Sequence, residues 1–149
     1  MADGEIDLAL AEHGAALADA VEQALPAWAA RVVIERGGPQ LRAAGEAAGR
    51  RAAEAIVPDL RALLAADVDA QRMNPLALLR RAVTWPAGVL ADAGVAPPVR
   101  DRHDREHFPD DVYGLTPMTW ADVDPSLHDL GILWGALKAR AHLARHAAG

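Results

Sequence analysis

The sequence has no cysteine, one lysine (Lys138) and one serine (Ser126), and aromatic residues fill only 4% of its 149 positions. Without cysteine there is no thiolate nucleophile, no disulfide and no Cys-ligated zinc or iron–sulfur centre, and the composition suits a reducing cytosol. Ser126 falls in the first turn of a candidate helix, where a hydroxyl caps. Thr84, Thr116 and Thr119 lie outside any Gly-rich setting, so hydroxyl nucleophiles have no support. No Gly-x-Ser-x-Gly, P-loop or Gly-x-Gly-x-x-Gly string occurs, which removes the common hydrolase and nucleotide-binding signatures. No apolar run approaches the roughly 20 residues that cross a bilayer. The acidic start, Met1-Ala2-Asp3-Gly4-Glu5, lacks the basic-then-apolar order of a secretory signal. The expectation is a cytoplasmic protein with no membrane association.

What is abundant is alanine, and arginine in place of lysine. Apolar residues make up 52% of the chain, much of it Ala, so close helix contacts around a thin core are expected. Alanine is the best helix former, and β-branched residues cluster only in short pieces such as Val32-Val33-Ile34. The Arg, Ala and Gly excess resembles the coding bias of a GC-rich bacterial genome. A formal net charge of −6 disfavours broad binding to nucleic acid, because phosphate neutralisation needs a net basic face. The length fits one domain over 1–149.

Apolar periodicity predicts an all-α fold, a bundle of four to five proline-kinked helices. The first stripe runs through Ile6, Leu10, Leu17, Val21, Leu25, Trp28 and Val32, which share one face at 3.6 residues per turn. Pro26 either kinks this helix or opens a second one, and Gly37-Gly38-Pro39 ends the unit. The second stripe, Leu41, Ala44, Ala48, Ala52, Ile56, Leu60 and Leu63, is rich in small residues, with Pro58 as a kink. Asp67 to Met73 reads as a connector; its Asp67 and Asp69 are too few for a calcium loop. Asn74-Pro75 is an N-cap followed by a first-turn proline. It starts a helix with Leu76, Leu79, Val83, Ala87 and Leu90 inward, kinked at Pro86 and stopped at Gly94. Asp124-Pro125 repeats the start signal before a last helix with Leu127, Leu130, Trp134, Leu137 and Ala141 inward.

Between them, residues 95–124 are broken by Pro97, Pro98, Pro109 and Pro117, yet they hold Phe108, Tyr113, Met118 and Trp120. Disordered linkers are poor in aromatics, so this long irregular segment is expected to be ordered against the bundle.

Three constellations bear on chemistry. His103-Asp104-Arg105-Glu106-His107 spells H-x-x-E-H, with histidines four apart on one helical face. The resemblance to the inverted zinc peptidases covers five letters only. No glutamate follows Glu106 as a further ligand, and Pro109 cuts the helix short. His128 and His142 share a face of the last helix, with Gly131 and Gly135 between them on the same side. Each mid-helix glycine costs about 1 kcal/mol relative to alanine, so the pair implies a packing reason. The arginines at 42, 50, 51, 61, 80 and 81 could form a basic strip for RNA or acidic proteins, but interleaved acids make a mixed wet surface the simpler reading.

These observations favour a non-catalytic interaction or regulatory module of the bacterial cytosol. It would bind a protein partner, or a second copy, through the 95–124 segment and the last helix, and would need no cofactor. Phe108, Tyr113, Trp120, Gly131 and Gly135 are the candidate contact residues, because aromatics dominate interface hot spots. The alternative is a protein, or a metal-dependent enzyme, that binds a small ligand or a divalent metal such as zinc, with His103, Glu106, His107, His128 and His142 as ligands.

Overall fold

Helix α1 runs without interruption from Asp3 to Gly37, straight through Pro26. Proline at position 26 forfeits one ladder hydrogen bond, but Leu25, Trp28, Ala29 and Val33 are all buried around it. Packing on both sides of the proline holds the helix together. At about 1.5 Å per residue its 35 residues span roughly 52 Å, making it the spine of the molecule. Gly38, at φ 104°, turns the chain, and Pro39–Leu41 form one 3-10 turn before α2 (Arg42–Ala65).

The structure, a computed structural model, describes residues 3–66 and 74–147; the Asp67–Met73 connector expected above lies outside the described residues. Beyond it come α3 (Pro75–Arg80), a 3-10 turn (Arg81–Val83), α4 (Thr84–Asp92), α5 (Arg102–His107), α6 (Trp120–Val123) and α7 (Leu127–His146). No strand occurs among the described residues. The fold is all-α, as the periodicity required. None of these helices is long and apolar enough to cross a membrane.

Among the described residues α1 and α2 form the most extensive helix contact in the fold, and glycine makes their close approach possible. A Cβ added to Gly45 would lie 2.7 Å from Ala30 Cα, and one added to Gly49 would lie 2.8 Å from the Leu25 carbonyl carbon. Backbone meets backbone at both points, so no larger residue fits. The buried face of α2 is Gly45, Ala48, Gly49, Ala52, Ala53, Ile56, Val57, Leu60 and Leu64. Ala44, placed inward by the sequence pattern, is exposed.

The start of α3 follows the expected chemistry: the Asn74 side chain accepts from Leu76 N–H at 3.1 Å. The break in this unit falls at Arg81–Val83, ahead of Pro86, which sits in the first turn of α4. Gly94, at φ 75°, closes it. The last helix begins slightly later than Asp124-Pro125 implied. Asp124 accepts from Ser126 N–H at 2.8 Å and so organises the turn that feeds α7. The Ser126 hydroxyl and N–H, with Arg31 nearby, hold the Asp124 carboxyl below its ordinary range.

Residues 95–124 pack on the bundle, as their aromatic content suggested. Tyr113, Leu115 and Val123 belong to the same continuous core as Leu17, Leu60, Leu90 and Leu127. Arg31 of α1 fastens the end of this segment by donating to the Val123 carbonyl at 2.8 Å.

Candidate functional site

Where residues 107–116 pass over α2, α3 and α4 they leave a cleft of about 640 Å³, open along one side. Its floor is Ala55 and Ile56 of α2. Arg80, Arg81, Thr84 and Trp85 form one bank, and His107, Phe108, Asp110, Asp111 and Thr116 form the other.

The second bank is fixed by a dense set of hydrogen bonds. Asp111 is buried, yet both its oxygens are engaged. One accepts from Leu115 N–H at 2.6 Å; the other accepts from Thr116 N–H at 2.8 Å and from the Thr116 hydroxyl. Arg100 donates from one nitrogen to the carbonyls of Phe108, 2.7 Å, and of Asp111, 2.6 Å, tying down both ends of the Phe108–Asp111 turn. The Tyr113 hydroxyl donates to the Val95 carbonyl at 2.9 Å. A loop whose polar groups are satisfied in this way presents its outer residues in one arrangement. Asp111 is thus a structural brace of this wall.

Arg80 is the exceptional residue of the first bank. The Asn74-Pro75 start sets the phase of α3, which buries Leu79 and leaves Arg80 half-buried at the edge of the cleft. Its guanidinium carbon stands 5.5 Å from the centre of the Phe108 ring, a cation–π contact. Its Nε is buried without a hydrogen-bond partner. Several other arginines have carboxylate partners: Arg61 pairs with Asp19 and Glu22, Arg81 with Asp59 at 3.5 Å, and Arg102 with Glu106 at 2.7 Å. Among the described residues no carboxylate pairs with Arg80.

The structure corrects several sequence expectations. Tyr113 is only 4% exposed and its hydroxyl is spent internally, so it supplies no surface contact. Trp120 and Gly131 meet each other: the indole lies on the glycine, where an added Cβ would stand 2.6 Å from Trp120 Cγ. The packing reason for Gly131 is therefore inside the molecule, whereas Gly135 is open, with no atom near its missing side chain. Phe108 does lie at a surface cleft, under Arg80.

The candidate metal ligands do not assemble. His103 and His107 stack on each other with ring centres 4.1 Å apart on exposed α5, and His107 Nδ1 bonds the His103 carbonyl at 2.9 Å. Glu106 is occupied by Arg102. His142 stacks toward His146, with centres 4.5 Å apart, while His128 lies about 21 Å away at the start of the same helix. Among the described residues no three His, Asp or Glu side chains come together in a way that could hold a metal ion.

Sequence reasoning saw Arg80 only as part of a basic strip. What could have singled it out is its position one residue after the core residue Leu79, which puts a guanidinium at the rim of a buried face. No protein-family model matches the chain, and no curated protein or solved structure is similar to it.

Proposed function

We propose that the protein is a non-catalytic interaction module whose cleft receives an acidic side chain of a protein partner, with the 107–116 stretch as the recognising wall. The observation that supports this reading is Arg80. A half-buried guanidinium whose Nε is buried without a hydrogen-bond partner, and which pairs with no carboxylate among the described residues, carries a desolvation cost that the Phe108 ring offsets only in part. A partner carboxylate entering the cleft would form charge-assisted, bidentate hydrogen bonds with it. Phe108 holds the guanidinium plane in place, so little side-chain entropy is lost on binding.

The surroundings suit a macromolecular partner. The cleft is open along one side, so a side chain can enter while its backbone remains outside. Val112 (41% exposed) in this wall and Met118 (53%) just beyond it are apolar residues of the kind that flank an arginine anchor in interfaces. Trp85, in the opposite bank, adds an aromatic surface. Thr84 donates its hydroxyl to the Arg81 carbonyl at 3.1 Å, so that hydroxyl is engaged within its own bank.

The test is fluorescence anisotropy with labelled octapeptides that carry Glu or Asp among leucines, set against versions with Gln or Asn. Saturable binding of the acidic peptides is expected, weakened at least tenfold in Arg80→Met and reduced by salt. Equal binding of the amide peptides, or full binding by Arg80→Met, would refute the reading.

A further inference from the structure

Helix α7 is apolar on two opposite sides. Leu127, Gly131, Trp134, Leu137 and Ala141 are buried against the bundle. On the far side, Ile132 (57% exposed), Ala136, Ala139 and Leu143 (67% exposed) form a second stripe in the open. Their spacing of i, i+4, i+7 and i+11 places them along one line about 16 Å long. A surface helix of a globular protein normally turns a polar face to water; one that is apolar on both sides is covered on both.

We infer that this outer stripe pairs with the same stripe of a second copy, the two α7 helices running antiparallel about a two-fold axis between residues 137 and 138. The arrangement is self-complementary: Ile132 of each copy meets Leu143 of the other, and Ala136 meets Ala139, whose small side chains allow close approach at the crossing. Charge selects the orientation. Asp129 lies near the N-terminal end of α7 and Arg140 in its C-terminal half, while Lys138 and Arg145 turn inward, to Trp134 and to Asp7 of α1. Asp129 and Arg140 lie on the same flank of the stripe. Antiparallel pairing sets like flanks together, so the acid of one copy shares a seam with the arginine of the other. Parallel pairing would instead set the Asp129–Arg140 flank of one copy on the opposite side of the seam from that of the other, so the two charges would not meet. The helix dipoles also oppose favourably in the antiparallel arrangement. Closed two-fold pairing of this kind is the commonest assembly of soluble proteins.

The absence of native cysteine permits a direct test. Sedimentation equilibrium of the wild type should show a concentration-dependent rise from 15.7 kDa towards twice that mass. Ala136→Glu puts a charge at the crossing on an exposed, helix-favouring position, and should remain at the monomer mass with an unchanged helical circular dichroism spectrum. Ile132→Cys and Leu143→Cys, oxidised separately, should give little covalent dimer; mixed before oxidation, they should give the disulfide heterodimer. Wild type that stays at the monomer mass to several hundred micromolar would overturn the inference, as would an Ala136→Glu variant that still dimerises. Homodimeric disulfides from either cysteine variant alone would overturn the antiparallel arrangement.

Discussion

The indole of Trp120 rests directly on the backbone of Gly131, and that contact locks the end of the irregular segment onto the last helix. A methyl group at position 131 has no room. Gly131→Ala gains about 1 kcal/mol of helix propensity, but overpacking against a large ring costs about 1–3 kcal/mol. A net loss is expected in urea titrations. Gly135→Ala, on the same helix with open space at its Cα, should stabilise by about 0.5–1 kcal/mol. A Gly131→Ala protein at least as stable as wild type would mean that the indole does not sit there.

Gly49→Ala should be worse than Gly131→Ala. The atoms facing Gly49 belong to the backbone of Leu25 and Pro26, which cannot rotate away as a side chain can. The expected cost is at the upper end of the overpacking range, about 3 kcal/mol. It should appear as a lower melting temperature, and a neutral effect would contradict the close approach of α1 and α2.

These glycines show where the sequence was legible and where it was not. Large apolar residues spaced at helical intervals identified α1, the α3–α4 unit and α7, because burying leucine is a strong and directional signal. Glycine carries no such signal. The Gly-x-x-x-Gly spacing occurs at 45/49 and at 131/135. The first pair seats a crossing helix at both positions; in the second, one glycine seats an indole and the other faces open space. Spacing alone cannot distinguish these, since the answer depends on what the rest of the chain brings over each Cα. The same holds for the cleft. Phe108 stood out in the sequence as one of few aromatics, but the position of Arg80 above it depends on two segments that are distant in the chain meeting in space. The histidines stood out for their spacing, but among the described residues the fold gathers no three potential ligands into one site.

Asp111→Asn should destabilise the wall of the cleft. The two carboxylate oxygens accept three hydrogen bonds from Leu115 and Thr116, and an amide in their place turns one acceptor into a donor facing N–H and O–H groups. A loss of about 1–3 kcal/mol is expected. Amide hydrogen exchange at Leu115 and Thr116 should accelerate more than exchange in α2. Unchanged protection there would show that the carboxylate is not the brace.

Arg80→Met separates stability from binding. The variant removes a buried, unpartnered Nε and keeps the apolar stem over Phe108. Chemical denaturation should show stability equal to or above wild type, because an unpaired polar group no longer has to be desolvated. A loss above about 2 kcal/mol would indicate that Arg80 is a structural residue with internal partners.

Ser126→Ala tests the turn before α7. The Asp124 carboxyl is held below its ordinary range, first by the Ser126 hydroxyl, then by its N–H and by Arg31. A group with a lowered folded-state pKa adds stability above its unfolded pKa, about 4, and that stability is lost as pH falls through the lower folded value. The variant should therefore be less stable than wild type at neutral pH. The difference should shrink below about pH 4, as Asp124 is protonated in both proteins. A gap that stays constant down to pH 2 would exclude the carboxylate as its cause.

Arg145, in the last turn of α7, reaches Asp7 in the opening turns of α1, 3.5 Å away, and Trp134 covers the flank of α1 at Gly14. A ribosome releases these partners in an awkward order. The first two helices can zip together through Gly45 and Gly49 soon after they emerge, while the α1 flank that awaits Trp134 stays wet until more than half the remaining chain has been made. Each nascent molecule therefore passes through a half-clothed stage, greasy along one side, that ends only when α7 arrives.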